Sequence, residues 1–140
     1  MRRMTGFLNL ALLVTLALST GACKTFEQSM QDTGGMQLSA NEVKQIVAGN
    51  TMTTSRGETY FFNSNGTVSG RGQASGKNVG KWNITTDGKL CTSSWNNQYV
   101  PSSCSKVYYD ARSQEKRVVD DSGELFYTIT NVVPGNPNNF

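Results

Sequence analysis

The spacing of turn signals is what most limits the fold open to this chain. From residue 59 onward, short strand-prone runs alternate with tight-turn dipeptides at intervals of eight to twelve residues. Thr59-Tyr60-Phe61-Phe62 is followed by Asn65-Gly66, which supplies the positive φ angles of a tight hairpin. Val79 to Thr85 alternates, with Gly80, Trp82 and Ile84 on one face and Lys81 and Asn83 on the other, and Asp87-Gly88 turns it back into Lys89-Leu90-Cys91-Thr92. Ser105 to Asp110 is another strand. Arg117-Val118-Val119 and Glu124 to Thr130 form a last hairpin around Asp121-Ser122-Gly123, with Leu125, Tyr127 and Ile129 on one face. Connections this short exclude parallel crossovers, which take a dozen or more residues each. The expected fold is mainly β: an antiparallel up-and-down meander of about seven strands, closing as a small barrel or curling as a half-barrel.

One short helix precedes the strands. Ser39 is an N-cap, Glu42 completes a capping box, and Leu38 with Val43 is spaced as a hydrophobic staple. Val43, Ile46 and Val47 make one apolar stripe and Gly49 marks the stop. About three turns cannot stand alone, so this helix is expected to plug an end of the barrel or cover a seam.

The N-terminus reads as an address. Met1-Arg2-Arg3 leads into an apolar stretch from Phe7 to Leu18, too short to span a membrane, and small residues follow. Thr20-Gly21-Ala22-Cys23 resembles a bacterial lipobox, departing from it at Thr20, where leucine is commonest; a plain signal peptide cut near Ala22 is the other reading. The resemblance implies lipidation of Cys23, and Lys24 after it, rather than Asp, implies the periplasmic face of the outer membrane. The odd cysteine count agrees: lipidation removes Cys23 and leaves Cys91 and Cys104 as an even pair in an oxidising compartment. The rival readings of that pair, a redox dithiol or metal ligands, lack the close spacing and the partner residues they need. The chain then divides into a lipoprotein signal peptide (1–22), a lipidated flexible tether (23–37), a disulfide-stapled β domain (38–131) and a disordered tail (132–140).

The order of these motifs resembles a known family. A helix opening Leu38-Ser39-Ala40-Asn41-Glu42, then Tyr60-Phe61-Phe62, Asn65-Gly66-Thr67, Gly80-Lys81-Trp82, Asp87 to Cys91, Trp95 and Cys104 is similar to the domain-of-unknown-function 995 family of small exported bacterial proteins. The similarity covers roughly residues 38–110. It implies an envelope location and a framework role for Gly80, Trp82, Cys91 and Cys104, and it carries no catalytic residues. Gly80-Lys81-Trp82 also resembles the Gly-x-Trp strand of lipoprotein barrels that inhibit metalloproteases by inserting an N-terminal segment; residues 24–37 stand in that place here.

Composition removes several chemistries. There is no histidine, which excludes histidine acid/base catalysis, Ser-His and Cys-His dyads and most zinc sites. The charge of +3 falls to eleven basic against ten acidic side chains once Arg2 and Arg3 leave with the signal, too little for nucleic acid. Asp110, Asp120, Asp121 and Glu124 could form a glycosidase-like pair, but Asp120-Asp121-Ser122-Gly123 is ordinary turn composition. Gly70-Arg71-Gly72-Gln73-Ala74-Ser75-Gly76 lacks the ending of a phosphate-cradling loop and reads as a hairpin or bulges.

Phe61, Tyr108 and Phe126 fall on the parity opposite the core and would form an exposed aromatic strip for a partner, unless a helix covers that face. Trp95 and Tyr99, in the loop between the cysteines, are further partner-binding candidates. The expected function is a non-catalytic envelope lipoprotein, a binding or structural module without a cofactor. Its partners would be the membrane, through the anchor, and an envelope protein, a protease or the cell wall. The alternatives are an inhibitor of an exported protease and a small-ligand carrier, the last requiring a cavity inside the strands.

Overall fold

The computed structural model describes residues 23–72, 77–97 and 101–140. The signal segment 1–22 and Tyr99 lie outside the described residues. The elements run α1 (Phe26–Asp32), β1 (Met36–Gln37), α2 (Ala40–Val47), β2 (Asn50–Thr54), β3 (Thr59–Phe62), β4 (Thr67–Arg71), β5 (Lys77–Ile84), β6 (Leu90–Ser93), a 3₁₀ turn (Trp95–Asn97), β7 (Ser103–Asp110), β8 (Glu115–Val119) and β9 (Leu125–Pro134).

Strands β2 to β9 pair antiparallel, each with the next in sequence. β9 then returns to β2, with Asn50 opposite Pro134 and Met52 opposite Val132, so the meander closes into an eight-stranded barrel. β1 is an extra strand on β7, where Met36 and Gln37 pair with Tyr109 and Tyr108. The sheet thus holds two strands, β1 and β2, beyond the expected set.

The interior takes side chains from all round the barrel: Met52, Phe62, Val68, Leu90, Val107, Val118 and Ile129, with Trp82 and Ile84 from β5. α2 closes the end at which β2 begins. Its capping box forms as expected, with the Ser39 N–H donating to Glu42 at 2.7 Å, and it drives Val43 and Val47 into the same core. Gly49 N–H donates to the Phe62 carbonyl at 2.7 Å and fixes the passage from helix to barrel. Cys91 and Cys104 are register partners on β6 and β7 and form a disulfide.

Two expectations give way. Residues 23–37 are not a flexible tether throughout, because α1 is a helix with its own capping box, Thr25 with Gln28, and Met30 is only 2 % exposed. Phe26 and Met30, one helical turn apart, pack on Tyr108 and Val119 on the outer face of β7 and β8. Nor does a disordered tail begin at 132. β9 continues to Pro134, and Asn136 closes the last residues by accepting from the Phe140 N–H at 3.0 Å.

Candidate functional site

At the end of the barrel opposite α2, the interior is open. A cavity of about 240 Å³ lies between Tyr60 and Phe62 of β3, Val68 of β4, Trp95, and Phe126 and Tyr127 of β9, with Glu58 and Ser103 at its edge. A wider depression of about 340 Å³ over Thr59, Arg71 and Phe140 is polar and more open to solvent, so the more sheltered, apolar cavity is the better site.

Two glycines seat its walls. A β-carbon on Gly70 would stand 2.6 Å from Cδ1 of Tyr60, and one on Gly80 would stand 2.9 Å from two ring carbons of Trp95. The Trp95 ring therefore packs against a strand position that carries no side chain, and at Gly70 the Thr59 carbonyl oxygen as well as the Tyr60 ring excludes one. Tyr60 and Trp95 meet at 5.7 Å between centroids, tilted by 52°. The 3₁₀ turn holding Trp95 is pinned by Asn96, which accepts from the Val79 N–H at 3.1 Å and donates to the Asn78 side chain at 2.8 Å. Asn96 adopts a positive φ, which asparagine tolerates.

The opposite wall is made by a bulge. Val118 faces Tyr127 and Val119 faces Leu125, so Phe126 is one residue in excess on β9. The extra residue breaks the expected alternation: Tyr127 packs inward, Leu125 is exposed, and Phe126 turns to the rim. The Phe126 ring lies 5.1 Å from Tyr127 and carries the Arg56 guanidinium 4.3 Å from its centre.

The two cavity phenols stay protonated. Burial pushes both up, with the Glu58 charge adding at Tyr60 and the neighbouring Tyr60 and Glu58 adding at Tyr127. The site therefore offers aromatic walls and neutral phenols, a setting suited to binding rather than to proton transfer. The turn reading of these carboxylates fits the structure, with Asp120 accepting from the Ser122 and Glu124 N–H groups at 2.9 and 3.0 Å, and Asp110 stands apart from that turn. Asp110 ends β7 and Asp120 follows β8, so a five-residue strand, roughly 13 Å, lies between the turns that hold them. That exceeds the roughly 5–9.5 Å separating the carboxyl groups of glycosidases. The Arg112 backbone N–H first, then Ser113 and the Arg112 and Arg117 guanidinium groups, hold Asp110 below the usual range. Among the described residues, no three His, Cys, Asp or Glu side chains converge as a metal site.

The candidate aromatic strip is divided. Tyr108 is 1 % exposed beneath α1, where its hydroxyl donates to Glu27 at 2.5 Å and accepts from Gln31 at 3.2 Å. It is therefore not part of an exposed surface; a helix covers it, the other reading that the sequence left open. Phe61 is half-buried on the outer face of β3, whereas Phe126 and Trp95 line the cavity. Tyr60 and Tyr127, the remaining aromatic walls, read in the sequence only as core.

A family model described as "Protein of unknown function (DUF995)" matches residues 12–125 of the chain. No curated protein and no solved structure matches it.

Proposed function

The chain belongs to the DUF995 family, which brings no activity with it, and we propose that this member is a non-catalytic envelope lipoprotein that binds a small apolar ligand in the open end of its barrel. The observation that carries the reading is the aromatic cavity at the open end of the barrel, whose Tyr60 and Trp95 walls pack beside Gly70 and Gly80. A side chain at either glycine would fill the space that these rings occupy. The absence of histidine, the turn role of Asp120 and the strand that separates Asp110 from it favour binding over catalysis.

The anchor is proposed from Thr20-Gly21-Ala22-Cys23, with the periplasmic face of the outer membrane as its destination. Cys23 is exposed and outside the disulfide, which supports that reading. A protease inhibitor would need residues 24–37 free to enter a cleft, and α1 is instead packed on the barrel.

The test is a titration of a chain beginning at residue 24 with N-phenyl-1-naphthylamine, followed by dye emission. Saturable binding that weakens about tenfold, 1.4 kcal/mol, in Trp95→Ala supports the site. No saturable binding, or binding unchanged by that substitution, overturns it.

A further inference from the structure

The docked helix fixes where an anchored barrel would face. Only Lys24 separates Cys23 from Thr25, the N-cap of α1. α1 is held at its start, where the Glu27 N–H donates to the Gly123 carbonyl at 2.8 Å, and in its middle, where Met30 is buried against Tyr108 and Val119. Any lipid on Cys23 is thus joined to the barrel wall through at most about 7 Å of backbone.

Gly123 lies in the β8–β9 turn, and the chain leaving that turn is Leu125 and Phe126, exposed by 42 % and 38 %. Phe126 is also a wall of the cavity. Anchor point, exposed apolar pair and cavity opening therefore follow one another over two short stretches, 23–25 and 123–126, about 18 Å of chain together.

We propose that the open end of the barrel lies against the bilayer, with Leu125 and Phe126 in its interface, and that the cavity takes the end of one acyl chain of a membrane lipid. The proposal rests on the anchor and open-end readings above. A cavity of about 240 Å³ is smaller than the roughly 300–1,000 Å³ of ordinary ligand sites, so it suits a chain end rather than a whole lipid. Aromatic and apolar rims of this kind sit at the boundary between hydrocarbon and head groups. The same turn carries Asp120, Asp121 and Glu124, and among the described residues only Asp121 has a salt-bridge partner, Lys89. That acidic edge favours zwitterionic over anionic head groups.

The chain's two tryptophans provide the test. Trp95 lines the cavity, whereas Trp82 is at the α2 end, its indole N–H donating to the Asn63 carbonyl at 2.8 Å. Lipidated protein purified from its own membranes is placed in phosphatidylcholine vesicles whose acyl chains are brominated near the terminal methyl. Trp82→Phe and Trp95→Phe each leave one reporter. The expected result is loss of most of the Trp95 emission with a smaller loss from Trp82, which stands behind Phe62, and recovery of Trp95 emission in Phe126→Ser, which remains anchored. If Trp82→Phe fails to fold, the same loss is read as the Trp95 component of the parent chain. Lipidated protein with Trp95 unquenched, or quenched only by bromine near the head group, overturns the proposal and leaves the anchor standing. An unmodified Cys23 in mass spectrometry overturns the anchor and the proposal with it.

Discussion

The indole of Trp95 lies against the bare α-carbon of Gly80, so close that a β-carbon there would meet ring atoms Cδ2 and Cε3 at 2.9 Å. The contact joins β5 to the turn beyond β6 and shapes one wall of the cavity. Gly80→Ala must lift the ring or bend the strand, an overpacking cost of about 1–3 kcal/mol. Urea unfolding should show a lower midpoint, and Trp95 emission should shift to the red as the ring moves toward water. An unchanged midpoint and spectrum would mean that the ring is not packed where the structure has it.

The disulfide closes a neighbouring weak seam. Three register pairs join β6 to β7, and Cys91 with Cys104 is the middle one, 13 residues apart in sequence. Closing a loop of that size contributes about 3 kcal/mol by constraining the unfolded chain. Cys91→Ser/Cys104→Ser should lose that amount in denaturant unfolding. Amide exchange at residues 90–92, on the seam that the disulfide crosses, should accelerate more than exchange at 116–118, whose β7 and β9 pairings lie outside it.

The parts of this fold written as local patterns were readable, and those set by tertiary partners were not. The α2 capping box, the Asn65-Gly66 and Asp87-Gly88 turns, the alternation of β5 and the cysteine pair rest on residues close in sequence or on a parity argument. β2 escaped because Asn50-Thr51-Met52-Thr53-Thr54 looks polar. Yet Thr51 and Thr54 are buried, the first donating to the Gly135 carbonyl and the second accepting from the Arg56 N–H. α1 left a signal in Thr25-x-x-Gln28, but its apolar face is only Phe26 and Met30, and the surface they cover, Tyr108 and Val119, is far away in the sequence. The cavity escaped because one bulge at Phe126 resets the alternation of β9, and nothing in Leu125-Phe126-Tyr127 announces it.

Docking of α1 should depend on pH. Burial pushes the Glu27 carboxyl up, but hydrogen bonds from Lys106 at 2.6 Å and Tyr108 at 2.5 Å outweigh it and leave the group below the usual glutamate range. A depressed folded pKa gives stability that is fully present above the unfolded value and lost as pH falls through the folded one. Asp110 and Asp120 are depressed as well, so global unfolding would blend their effects with that of Glu27. The local measurement is amide exchange of residues 26–32. It should stay slow at neutral pH and accelerate on acidification below the ordinary glutamate range. Glu27→Gln should lose about 1 kcal/mol of docking at neutral pH and most of the acid response. An acid response that persists in the variant would assign it to another carboxylate.

Met30 tests whether α1 and the barrel are one cooperative unit. Its side chain is the buried centre of a cluster with Tyr108, Val119 and Phe26, and the barrel's inner core is a separate cluster without it. Met30→Ala should cost about 2–5 kcal/mol where α1 meets β7 and β8, more than a seven-residue helix can supply from within. The helix should therefore detach while the barrel stays closed. A glutamate-specific protease would then cut after Glu27 in the variant and spare it in the parent, with the main thermal transition nearly unmoved. A large fall in that transition instead would show that β7 and β8 need their outer covering, making α1 part of the folding unit rather than a clasp upon it.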